Sequence, residues 1–134
     1  MNITHKELKS GDENRIGAIF PKRCGTETDI IIDGERCRVA KSPDTLVEQL
    51  KKSGAELLAA KIISRKFGSR VEPDEEIILN LTQISAYGPR TYPAESSQET
   101  RVTTGFVWGG DGAFTIDAPF RNFCQKMDFP ISAI

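Results

Sequence analysis

His5 is the single histidine of this chain, and Cys24, Cys37 and Cys124 are its three thiols. Proton transfer by imidazole would therefore rest on one residue close to the start. The cysteines are far apart and form no C-x-x-C pair. A structural zinc site takes about four N/S ligands in close pairs, and a disulfide framework takes an even number. Three reduced, mostly buried thiols are the simplest reading, with no metal and no cofactor expected. The chain also lacks a G-x-S-x-G elbow, a G-x-x-x-x-G-K-[ST] phosphate loop and a G-x-G-x-x-G turn. No catalytic residue is assigned, and an enzyme is the weaker expectation. Asp111 and Asp117 flank a short apolar run and would form a carboxylate pair only if the fold joined them. Gly109-Gly110-Asp111-Gly112 has the flexibility of a cation loop but too few acids, so a tight turn is the plainer expectation.

Two other groups suit binding. Lys61, Arg65, Lys66, Phe67 and Arg70 set four cations and a ring in ten residues with no acid among them. Cations that neutralise phosphates, beside rings that stack on bases, are what a single-stranded nucleic-acid site uses. Glu72, Asp74, Glu75 and Glu76 follow at once and would equally pair with that run. Tyr87, Arg90 and Tyr92 open a polar, Pro-containing stretch of about 14 residues, long for a compact domain. Tyr and Arg are favoured anchors of protein interfaces. The preferred expectation is thus a non-catalytic protein-binding module, accessory or inhibitory, using Tyr87, Arg90 and Tyr92. The alternative is a single-stranded nucleic-acid-binding domain of the oligonucleotide-binding-barrel type. A small-molecule cavity near Trp108 is the second alternative. Met127-Asp128-Phe129-Pro130 resembles the acidic, Pro/Phe-containing tips of bacterial single-stranded DNA-binding proteins. Only one acid precedes that Phe-Pro pair and Ile131–Ile134 extends past it, so no residue's role is carried over.

Composition sets the frame for these groups. The 134 residues are 38% apolar and 28% charged, with both signs interspersed, which suits a single domain with a solvated surface. Net charge is −1, too small to draw the whole molecule to nucleic acid or a membrane. Residues 1–70 nevertheless carry +4 and residues 71–134 carry −5. No apolar run approaches signal-peptide or membrane-span length, so no membrane association and a cytoplasmic location are expected.

The elements that position these groups follow from local pattern. Residues 1–13 are polar and read as a loosely held arm. Arg15–Phe20 reads as a strand stopped by Pro21. Thr28–Ile32 and Glu35–Ala40 flank Asp33-Gly34, the composition of a type I′ hairpin. On the second arm Cys37 and Val39 share one side and Arg36 and Arg38 the other, which predicts a sheet with one solvated face. Ser42 as cap, Pro43 at the first position and Gly54 past the end predict a helix over about 43–53, with Leu46, Val47 and Leu50 facing the sheet. Leu57–Phe67 is read as a strand and Glu76–Ala86 as a central one, since apolar residues lie on both its faces. Arg101–Trp108 and Ala113–Ile116 form a second hairpin, and a short helix is expected around Arg121–Met127. The expected architecture is α+β: a mainly antiparallel sheet or partly closed β-barrel with the helix packed on it. Its core would hold Ile16, Ile19, Ile31, Val39, Leu46, Leu50, Ile62, Ile77, Leu79, Leu81, Val107 and Phe114.

Overall fold

The hairpin forms as its turn chemistry demands. Asp33 and Gly34 adopt φ of 52° and 82°, the left-handed pair a type I′ turn requires. In the computed structural model, which describes residues 3–22, 26–65, 69–89, 99–104 and 111–127, this turn joins β3 (Thr28–Ile32) to β4 (Glu35–Val39). The remaining strands are β1 (Thr4–His5), β2 (Ile16–Ile19), β5 (Leu57–Arg65), β6 (Glu76–Asn80), β7 (Ile84–Pro89), β8 (Glu99–Thr104) and β9 (Ala113–Pro119). They make one nine-stranded sheet in the order β1-β4-β3-β2-β6-β5-β9-β8-β7. All pairings are antiparallel except β1 with β4. The sheet is open, with β1 and β7 at its two ends, so the barrel form of the expectation is not adopted.

Helix α1 (Pro43–Lys52) has the predicted ends. Ser42 Oγ accepts the Thr45 amide at 3.2 Å, Pro43 sits in the first turn, and Gly54 takes φ of 86° just past the end. Leu46 and Leu50 are buried against Ile16, Ile19, Ile30, Ile32, Cys37 and Val39, which form one core cluster on one face of the sheet. A second helix, α2 (Phe120–Met127), lies where the short terminal helix is expected and buries Phe123.

A second cluster explains why Thr28–Ile32 is apolar on both faces. Ile31 of β3 shares it with Phe20, Ile62, Ile77 and Leu79, but also with Val102 of β8, Phe114 and Ile116 of β9 and Phe123 of α2. Strands β3 and β8 are five places apart in the sheet order. A flat sheet would hold them about 24 Å apart. Their common core requires the β9-β8-β7 end to curl back over the β3-β2-β6 part. The turning point is β5, whose first half pairs with β6 and whose second half pairs with β9, across a bulge at Ile62–Ser64.

Two expectations are corrected. Glu76–Ala86 is not one strand: it breaks at a 3-10 turn over Leu81–Gln83. Asn80 causes the break. Its Oδ1 accepts from the Thr82 amide and hydroxyl, and its Nδ2 donates to the Ile16 carbonyl at 2.8 Å. A side chain that bonds two residues ahead offers the backbone a turn in place of the ladder. The Arg36/Arg38 face is not wholly solvated either, since Arg36 is enclosed by Glu75 and the Arg70 carbonyl and its side chain is 11% exposed, while Arg38 remains 26% exposed. Of the predicted core, Leu81 is partly buried at its margin, Val107 lies outside the described residues, and the other ten are buried.

Candidate functional site

Closure over the Arg36/Arg38 face forces charges together. The two-residue turn puts Asp29 opposite Arg38 and Ile31 opposite Arg36. Asp29 is 3% exposed, and its carboxylate takes Arg38 Nε at 2.7 Å and Arg36 Nε at 2.9 Å. Arg36 also reaches Glu75 through two parallel bonds, 2.7 and 3.0 Å, and donates to the Arg70 carbonyl at 3.0 Å. Its guanidinium carbon stands 3.9 Å from the Phe20 ring centre. Such forked, stacked contacts suit arginine and not lysine.

Asp111 closes the network from the far side of the sequence. Its Oδ1 accepts the Arg70 amide, and its Oδ2 accepts Arg70 Nε and Nη2 and the Arg36 amide, all within 2.8–3.0 Å. The Asp111 amide in turn donates to the Gly34 carbonyl at 3.0 Å. One carboxylate thus ties the β3–β4 hairpin to the segment between β5 and β6.

The electrostatics describe a lock. Burial alone would raise the carboxyl of Asp29, and the Arg38 and Arg36 guanidiniums outweigh it, holding it below the usual carboxylate range. Asp111 behaves the same way: burial pushes upward, while Arg70 and the two backbone amides pull it down further. Burial also works against the charge of Arg36, and Glu75 and Asp29 more than restore it. These carboxylates are held ionised and fully donated to, the opposite of a general acid poised near neutrality. Among the described residues every buried side-chain N and O atom has a hydrogen-bond partner, and no group of three His, Cys, Asp or Glu side chains is arranged to hold a metal ion. Burial pushes the Cys37 thiol up to about 11, which makes it a poor nucleophile.

Among the described residues, the predicted site residues Lys61, Arg70 and Tyr87 lie in separate settings. Lys61 is on the exposed side of β5, with its amide donating to Asp117 Oδ1 at 2.9 Å. Arg65 ends the same strand. Arg70 is drawn into the ion pair with Asp111 and not with Glu72–Glu76; of those acids Glu75 takes Arg36 instead. Asp111 and Asp117 have these separate commitments rather than a shared one. Lys66, Phe67, Arg90, Tyr92 and Trp108 lie outside the described residues. Tyr87 is on β7, three strands from β5 in the sheet order, because Asn80 ends β6 and sends the chain to the other end. The usual spacing makes that about 14 Å along the sheet.

Tyr87 is the exposed large apolar residue among the described residues, at 38%. Its ring meets Phe123 edge-on at 5.2 Å and Phe120 at 6.4 Å, so α2 holds it in place on the terminal strand. The opposite end of the sheet is blunted. On β4 the Arg36 amide is taken by Asp111 and the Arg38 carbonyl by the Lys6 amide, behind a β1 of two residues. Short covering strands and side-chain caps are how proteins silence a sheet edge.

The sequence reading missed Asp29, Arg36, Arg38 and Glu75 as a group. A signal was present: a two-residue turn fixes the register, and the register sets Asp29 against Arg38. Comparison with protein-family models, with curated proteins and with solved structures gave no match. No helix among the described residues is long and apolar enough to cross a membrane.

Proposed function

We propose that this chain is a non-catalytic protein-binding module, accessory or inhibitory to its partner, that engages it through the β7 end of the sheet. The observation that carries the reading is Tyr87: a large ring, exposed yet braced by Phe120 and Phe123, on a terminal strand whose counterpart at the other end is blunted. An aromatic held rigid before binding loses little rotamer freedom on contact, which is why Tyr serves as an interface anchor. Arg90 and Tyr92, three and five residues further along the sequence, complete the proposed set of anchors. The buried carboxylates, held ionised by arginine, favour a structural role for the molecule's densest charge cluster.

The test is a photo-crosslinking residue placed at position 87 and illuminated in a lysate of the native cell. One discrete protein adduct is expected. In a pull-down, Tyr87→Ala should weaken that partner by about tenfold to a hundredfold, the range of an interface hot spot. Salt-sensitive binding of labelled single-stranded oligonucleotides, lost in Lys61→Ala and retained in Tyr87→Ala, would transfer the function to the basic run Lys61, Arg65, Lys66, Phe67 and Arg70.

A further inference from the structure

The N-terminal segment crosses the end of α1 and leaves two adjoining clefts. One, of about 390 Å³, gathers Lys9, Lys41 and Lys52 around a single acid, Glu13, with Ser10 and Gln49 as further polar groups. The other, of about 600 Å³, carries Lys6, Arg38 and Lys41 against Glu7 and Glu27. Leu8 and Lys41 line both.

The first cleft has the size of a small-molecule site but not the usual apolar wall. Three lysines and one glutamate among the lining residues give this cleft a net positive charge that favours an anionic ligand. The other contacts of the lysines leave them available. Among the described residues Lys41 Nζ meets the neutral Gln49 Oε1, at a long 3.4 Å. Lys52 reaches Glu48 at 3.6 Å on the outer face of α1, where both side chains are at least 70% exposed and the pair is weak. Lys9 has no carboxylate within ion-pair distance among the described residues. Lysine binds as a compact point charge with three rotatable donors, as it does in phosphate-binding loops, and a phosphate offers several oxygens to such donors. The adjoining cleft, nearly balanced in sign, has room for the polar remainder of a ligand.

We propose that Lys9, Lys41 and Lys52 form a binding site for a small phosphorylated ligand, with the phosphate held in the first cleft. The site is at the opposite end of the sheet order from Tyr87 and does not depend on the protein-binding reading.

Calorimetric titration of the whole protein tests it, with inorganic pyrophosphate as the probe and citrate as the carboxylate comparison. Saturable one-site binding of pyrophosphate is expected, weakening as salt is raised. Lys41→Gln should reduce its affinity about tenfold. Glu13→Gln should raise it several-fold, a gain that a folding defect would not produce. Lys61→Gln, on the distant strand β5, and Tyr87→Ala should leave it unchanged. Absence of pyrophosphate binding at low salt, equal binding of citrate, or indifference to both Lys41→Gln and Glu13→Gln would overturn the assignment.

Discussion

The carboxylate of Asp111 accepts from two backbone amides and one guanidinium, and it sits 8% exposed. Those donors belong to Arg36 on the hairpin and Arg70 beyond β5, so a single side chain carries a long-range cross-link. Removing one member of a buried charged pair leaves the others without water and without a partner, a larger loss than the net value of the pair itself. Asp111→Ala should therefore lower the unfolding free energy by about 3 kcal/mol, read as a lower urea midpoint at unchanged slope. Asp111→Asn keeps the volume and one acceptor and should cost less. An alanine variant as stable as the parent would mean that the cross-link contributes nothing. None of this was legible at position 111. Its neighbours, Gly110 and Gly112, suggest a turn, while its partners lie 41 and 75 residues away.

At the scale of elements, α1 was the most readable part of the chain because its signals are local. Ser42, Pro43 and Gly54 act on backbone groups within a few residues of themselves, and no distant contact is needed to satisfy them. Ser42→Ala should cost about 1 kcal/mol, the usual value for a lost N-cap, with the loss seen in thermal unfolding and the native far-ultraviolet dichroism retained. The hairpin was readable for the same reason, and so was its register. The strand expected over residues 76–86 failed because one side chain, Asn80, joins a local turn contact to a distant one. Asn80 reads as one more residue of an alternating run, yet its amide bridges to Ile16, 64 residues earlier, while its oxygen turns the chain at Thr82. That one side chain decides that β7 joins β8 at the far end of the sheet instead of continuing β6.

Across the whole molecule, the buried charges link stability to pH. The carboxyls of Asp29 and Asp111 are both held below their ordinary value in the folded state. A depressed carboxylate stabilises the fold while pH stays above its unfolded value, about 3.9 for Asp, and that contribution is lost as pH falls through the folded value. The urea midpoint should thus be nearly flat from about pH 7 to 5 and fall below about pH 4, with a shallower fall in Asp111→Asn. An equally steep acid fall in that variant would assign it to other groups. The α+β class, the antiparallel pairing, helix α1 and ten of the twelve expected core residues were determined by the sequence through periodicity, turn chemistry and capping, which act over short stretches of chain. The tertiary structure alone decided three further features. The sheet remains open and curls at β5; Arg36 lies inside against Asp29 and Glu75; and Tyr87 is three strands away from Lys61. Each depends on groups brought together from distant parts of the chain, and only the fold as a whole specifies which of them meet.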